Sequence, residues 1–215
     1  MSKMFIDNLN ELQFDALKEL ANVGAGNATV ALSNLLNKHI KLSVSDARIV
    51  DISQVPEIVG DEEKVMTGIL IMLKGGISGC VMFLFDTGSV DKMLDILFEK
   101  FPDFRSEKKI KKNLTEEFNE MEISAIMEVG NIISGAYLKA LSDMTDITIN
   151  VSVPMLQMDM VGSIMSVPAI QMGKEVDKLL LIDTHFSEDI DFNGYYIFIP
   201  DEASNKKMLE SLQLV

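Results

Sequence analysis

Residues 14–28 read FDALKELANVGAGNA and residues 123–137 read ISAIMEVGNIISGAY. Asp15, Glu19 and Asn22 of the first stretch correspond to Ser124, Glu128 and Asn131 of the second, at a constant offset of 109 positions. The same offset relates Ala16 to Ala125, Gly26 to Gly135, Ala31 to Ala140, Leu32 to Leu141, Ser33 to Ser142, Ser43 to Ser152 and Val44 to Val153. A register held over about thirty residues marks a duplicated unit, and it puts a Glu and an Asn at the same place in both copies.

The rest of the chain follows the same order twice. Residues 11–37 carry Leu12, Leu17, Leu20, Val23, Val30, Leu35 and Leu36 at helical spacing, and residues 41–52 then switch to the period of two expected of a strand. Pro56 and Gly60-Asp61-Glu62-Glu63 read as a turn. The segments VMTGILIMLK (65–74) and ISGCVMFLFD (77–86), separated at Gly75-Gly76, predict a hairpin. Asp86 to Lys100 predicts an amphipathic helix with Val90, Met93, Leu94, Leu97 and Phe98 inward and Asp86 or Thr87 as its cap.

In the second copy a helix near 117–143 leads to the strand-like INVSVPM (149–155) and an apolar stretch over 155–172. Two further strands, KLLLIDTHF (178–186) and FNGYYIFIP (192–200), precede a short final helix. There Gly79/Gly194, Asp86/Asp201, Ser89/Ser204 and Leu97/Leu212 lie 115 apart, so six additional residues belong to the 155–190 region. Either half alone would leave a sheet face and edges unpaired. The expectation is therefore an α/β fold with one continuous, mostly antiparallel sheet, helices covering a face, and the two motif helices exposed. We expect a single pseudo-two-fold domain over 1–215, its halves about 1–104 and 113–215, with the boundary between Pro102 and Asn113.

A chain of 215 residues with 47% hydrophobic residues can bury a substantial core. The formal charge of −14 argues against nucleic acid, because neutralising phosphates needs clustered Lys and Arg. The one basic cluster, Lys108, Lys109, Lys111 and Lys112, is followed at once by Glu116, Glu117, Glu120 and Glu122 and reads as a solvated connector. Cys80 is the single cysteine and lies in an apolar run, so it reads as a buried, inert thiol. The fifteen methionines, among them Met66, Met72, Met82 and Met155, read mostly as core. No apolar run reaches the roughly 18–20 residues that span a bilayer, and no basic stretch followed by an apolar one opens the chain. A soluble cytoplasmic protein is expected.

Glu and Asn three apart on a helix share a face, so Glu19 with Asn22 and Glu128 with Asn131 project together, and Asp15 and Ser124 extend each stripe. Gly24 and Gly26, or Gly130 and Gly135, follow within the helical pattern at about 1 kcal/mol each against Ala. Their presence implies close backbone approach or a partner that must come near. A helix-ending role for Asn22 and Asn131 competes with a functional one. His39 and His185 are too far apart in the pattern for a zinc cluster or a Ser-His-acid triad, and GAGNA lacks the Lys and Ser/Thr of a phosphate-binding loop. Two carboxylates and two carboxamides remain; such a set can position a water or grip a partner.

The pattern Asp/Ser-x-x-x-Glu-x-x-Asn, then twenty-two residues and a Pro, resembles the signature of the CheC/CheX/FliY phosphatases of bacterial chemotaxis. The second copy matches throughout with Ser124, Glu128, Asn131 and Pro154; the first matches at Asp15, Glu19 and Asn22 but has Ser45 where Pro is expected. Two motifs in one chain look like the CheC branch. The resemblance implies dephosphorylation of CheY-P, the aspartyl-phosphorylated response regulator, which supplies its own Mg²⁺, so that no intrinsic cofactor is needed. It implies that Asn22 and Asn131 orient the attacking water, that Glu19 and Glu128 pair with a regulator lysine, and that Asp15 and Ser124 contact the partner. It also implies CheD, the receptor deamidase, as a second partner; the Met-rich 155–172 stretch with Asp159, in the region of the additional residues, is a candidate surface for it, with a core helix as the equal alternative. A non-catalytic adaptor for CheD or CheY and a flagellar-switch component are the rival readings. A monomer is expected, because the duplication already supplies two-fold symmetry.

Overall fold

The computed structural model describes residues 10–105, 118–173 and 178–212. The first helix, α1 (Glu11–Leu36), starts at a capping box in which Asn10 and Gln13 satisfy each other's backbone amides, and it ends at Asn37 in the left-handed region. The helix α4 (Glu120–Thr145) repeats this at the same offset, with Asn119 and Glu122 forming the box and Asp146 left-handed at the end. These caps satisfy backbone groups that the helix cannot pair internally. Both helices therefore have the same length, 26 residues, and the same start and stop signals.

Between them run β1 (Ile40–Asp51), a short 3-10 turn leading into α2 (Val55–Val59), β2 (Val65–Gly75), β3 (Gly79–Asp86) and α3 (Thr87–Leu97). After α4 come β4 (Ile149–Val151), β5 (Met155–Met160), α5 (Val161–Met172), β6 (Lys178–Glu188), β7 (Phe192–Pro200) and α6 (Glu202–Ser211). Asp86 caps α3 by accepting from the Ser89 amide, and Asp201 caps α6 from the Ser204 amide in the same way. The lengthened α5, twelve residues against the short helical segment Ile52–Val59, lies where the offset grows.

The sheet order is β1-β6-β7-β3-β2-β4, with β5 also pairing β2, and every ladder is antiparallel. This order is palindromic. The hairpins β2–β3 and β6–β7 meet at the centre, where Gly79–Phe85 pairs with Gly194–Pro200. The first strand of each copy crosses to the other: β1 pairs with β6, and β4 and β5 pair with β2. Ser45, the counterpart of Pro154, lies where the β1 register slips, between Val44 and Asp46. Pro154 itself, which has no amide to donate, falls in the gap between β4 and β5. The repeat therefore keeps an irregularity at this point with two different residues.

Helices cover both faces of the sheet rather than one. The larger core unites α1, α4, α3 and α6 with Ile69, Ile71, Phe83, Phe85, Ile182 and Phe198. The opposite core places α2 and α5 on Met66, Leu70, Met82, Leu181 and Ile197. Pro56 belongs to α2, at its N-terminal end where a missing amide costs nothing, whereas the turn expected at Gly60–Glu63 is present, with the Lys64 amide donating to the Asp61 carbonyl at 3.2 Å. The α1 core face also differs from the expected row. Leu12, Val23, Val30 and Leu35 are exposed, whereas Leu17, Leu20, Ala21, Gly24, Ala25, Ala28, Leu32 and Leu36 are buried, because small residues let α1 approach α4 closely. Of the four methionines singled out, Met66 and Met82 are buried, Met72 is half-buried and Met155 is exposed. Cys80 is fully buried, and burial pushes its thiol up to about 12.

The basic cluster at Lys108–Lys112 lies outside the described residues. Glu122, grouped with that connector above, is instead a buried capping residue of α4 hydrogen-bonded to Arg105. Among the described residues no helix is long and apolar enough to cross a membrane.

Candidate functional site

The two motif helices run uninterrupted through their Glu–Asn pairs, so neither Asn22 nor Asn131 ends a helix. GAGNA likewise lies inside α1, where its backbone amides serve the helix and cannot cradle an anion. Asp15, Glu19, Asn22 and Gly26 form one exposed stripe on α1. Ser124, Glu128, Asn131 and Gly135 form its counterpart on α4. All six motif side chains face solvent. Among the described residues, Asp15, Glu19, Asn22, Ser124, Glu128 and Asn131 have neither a side-chain hydrogen bond nor an ion pair. Exposed carboxylates and amides left unpaired by their own chain are open to an external partner, and a carboxylate is best matched by Lys or Arg.

Each helix is tied to the segment that follows it. On α1, the Leu42 amide donates to Thr29 Oγ1 at 2.8 Å, and the Ile40 amide donates to Ser33 Oγ at 3.2 Å. On α4, Ser142 Oγ donates to the Ile147 carbonyl at 2.8 Å. The gap around Pro154 is stabilised from β2: the Met72 amide donates to Ser152 Oγ at 3.0 Å, and the Ser152 amide to the Met72 carbonyl at 2.9 Å. These ties bring Val153 and Pro154 beside the α4 motif.

The result is an open groove of about 350 Å³ lined by Glu120, Ile123, Ser124, Met127, Glu128, Asn131, Val153 and Pro154. Its polar side carries the motif and its apolar side is Ile123, Met127 and Val153, the last 75% exposed. Sequence reasoning missed the apolar side; the signal available was a valine next to Pro154, at a break between strands where nothing buries it. The first copy is lined differently. Phe14, Lys18 and Ser45 stand where the second has Ile123, Met127 and Pro154, and Lys18 Nζ lies 4.6 Å over the Phe14 ring. The two sites therefore share their polar stripe and differ in their surroundings.

The four flagged glycines separate into two kinds. A Cβ at Gly24 would meet Tyr137 Cδ1 at 2.6 Å, and one at Gly130 would meet Ile69 side-chain atoms at 2.6 Å. A Cβ at Gly26 or Gly135 would meet nothing within 4 Å.

The model of the CheC-like family matches residues 12–44 and 121–157, the two motif helices with the strands that follow them. The chain is 27% identical over 209 residues to the CheY-P phosphatase CheC of Bacillus subtilis, covering 96% of both chains. It is 25% identical over 144 residues to CheC1 of Halobacterium salinarum, covering 67% of this chain and 68% of that one. The crystal structure of Thermotoga maritima FliY superimposes with a TM-score of 0.73 at 21% identity, covering 95% of this chain and 98% of that one, and so shares the fold.

Proposed function

From the matches of both motif segments to the CheC-like family model and the similarity along nearly the whole chain to a CheY-P phosphatase CheC, we propose that the chain is a CheC-like phosphatase that hydrolyses the aspartyl phosphate of a CheY-type chemotaxis response regulator. One observation carries the reading: a Glu–Asn pair, exposed and unpaired within its own chain, occurs on both motif helices. Retained carboxamides favour turnover over a purely adaptor role, because gripping a partner does not require them.

An acyl phosphate is an activated mixed anhydride whose leaving group is a carboxylate, so hydrolysis needs a water held in line with the breaking P–O bond more than it needs a strong base. The Asn22 or Asn131 carboxamide, inserted beside the phosphoryl group, orients that water. Its oxygen bonds to phosphorus, the regulator's aspartate leaves as a carboxylate, and the proton passes to the released phosphate or to solvent. Glu19 or Glu128, one turn earlier, pairs with a regulator lysine and fixes the dock. Asp15 and Ser124 extend that contact. The regulator brings its own Mg²⁺. CheD is the second partner in this reading, and the 155–172 segment, where Met155, Met160 and Ile170 are exposed, is its candidate surface. The protein acts as a monomer in the cytoplasm.

Phosphate release from a phosphorylated CheY-type regulator in Mg²⁺ tests the proposal. The protein should accelerate decay, Asn22→Ala and Asn131→Ala should each slow it, and the double variant should abolish the acceleration. Unchanged decay on adding the wild-type protein would leave the adaptor reading in its place.

A further inference from the structure

Gly26 and Gly135 stand one turn beyond Asn22 and Asn131 on the same exposed stripes. Each lies at the sixteenth position of a 26-residue helix, where glycine is the poorest ordinary choice. Neither has the positive φ that would call for glycine; among the described glycines only Gly60, Gly75, Gly79 and Gly173 do. Neither is crowded, since a Cβ at either position would find no atom within 4 Å. Gly24 and Gly130 show what a packing glycine looks like here, and neither of those is repeated: Ile133 and Ala21 occupy the corresponding positions. The glycine that the fold does not need is the one found in both copies.

We propose that Gly26 and Gly135 are clearance residues of the two sites, and that the missing side chain lets the backbone of the phosphorylated regulator seat directly on the helix beside the catalytic carboxamide. This deepens the phosphatase reading and rests on it. The asparagine side chain is short, so it reaches an in-line water on another protein only if the two backbones come close. A methyl group one turn away would hold the partner off by about its own depth, and misplacement on the order of 1 Å can cost about 100-fold in rate. Gly26 and Gly135 are positioning residues and touch no reacting atom.

The experiment isolates one site at a time. In an Asn22→Ala parent, whose α4 site is intact, Gly135→Ala is compared with the parent for phosphate release and for affinity to a regulator carrying beryllofluoride in place of the phosphoryl group. Gly26→Ala is treated likewise in an Asn131→Ala parent. The expected result is a loss of about 10- to 100-fold in kcat/KM, weaker binding of the beryllofluoride form, and a melting temperature raised by roughly 2–4 °C. A stabilised variant with parental kcat/KM and affinity overturns the inference and leaves the phosphatase reading intact. A fall in melting temperature overturns it too, because the glycine would then serve the fold. A parent that binds the regulator without turnover refutes the phosphatase reading alone, and the effect of alanine on binding then decides the inference. A parent that neither binds nor hydrolyses refutes both.

Discussion

Gly24 lies against the ring of Tyr137, and a Cβ at position 24 would stand 2.6 Å from Cδ1 and 3.0 Å from the Tyr137 Cα. The ring cannot retreat, because its other face stacks on Tyr196 at a centroid distance of 4.2 Å and Phe83 meets its edge at 6.4 Å. Gly24→Ala should therefore overpack the α1–α4 interface and destabilise the protein by about 1–3 kcal/mol. Urea unfolding checks this. The sign is opposite to that expected for Gly26→Ala, two residues away, so the pair also reports which glycines belong to the core.

Arg105 joins the end of the first copy to the start of α4. Its guanidinium donates to Asp91 at 2.7 Å, to Asp95 at 3.0 Å and to the fully buried Glu122. Burial opposes its charge, but its hydrogen bonds to Asp91, Glu122 and Asp95 outweigh that and raise its pKa. Arg105→Met should cost about 3–5 kcal/mol, because a buried carboxylate loses its cation. Adding Glu122→Gln should recover part of the loss, since Gln13 already serves the same capping box in α1. A double variant no more stable than the single one would show that the charge on Glu122 is not the source of the cost.

The Cys80 thiol supplies a pH test. Burial raises its pKa from 9.0 to about 12, so in that window the unfolded chain loses a proton that the folded chain keeps. Stability is then full below pH 9 and falls as pH rises toward 12, by up to about 1.4 kcal/mol per pH unit from this group. Comparing urea midpoints at pH 8 and pH 10 for wild type and Cys80→Ala isolates the contribution, which the variant should lack. At pH 8 the native protein should resist thiol reagents until it unfolds. Rapid labelling without unfolding would contradict the buried placement.

The two sites should contribute unequally. The α4 motif borders an apolar groove with Pro154 at its wall, whereas Lys18 over Phe14 occupies the matching position on α1. Asn131→Ala should remove the larger share of phosphate release and Asn22→Ala the smaller. Val153→Asp, on a side chain 75% exposed, should weaken turnover at the α4 site without unfolding the protein. Equal losses from the two Asn variants would mean that the groove contributes nothing.

Much of this was legible in the sequence. The α1 and α4 helices, the β2–β3 and β6–β7 hairpins and the Asp86 cap follow from local periodicity and turn chemistry, and the motif stripe from spacing alone. The strand partners beyond the two hairpins were not legible, because alternation says which face of β1 is buried and not that β6 will pair with its edge. The segment 155–172 is mostly apolar with scattered polar residues, so no period separates β5 from α5, and Pro168 inside the helix adds no boundary. The four glycines look alike as letters; only Tyr137 and Ile69 distinguish Gly24 and Gly130 from the open pair. In α1 the exposed Val23 and Val30 fit a helical period as well as the buried Ala21, Ala25 and Ala28 do, so hydrophobic size alone does not mark the packed face.

The crossing of β1 to β6 and of β5 to β2 predicts that neither half stands alone. Residues 1–105, expressed separately, would lack the neighbour of β1 and the outer cover of β2. Circular dichroism and amide exchange should show it unfolded or self-associated, and a monomeric, well-ordered fragment would refute the interlocked arrangement.

That exchange of strands bears on how such a molecule can be assembled. A polypeptide of half the length could complete this sheet only by embracing a twin, each lending its leading strand to the other. Joining the twins end to end frees assembly from concentration and lets the two grooves diverge, so that a proline in one can face a serine in the other.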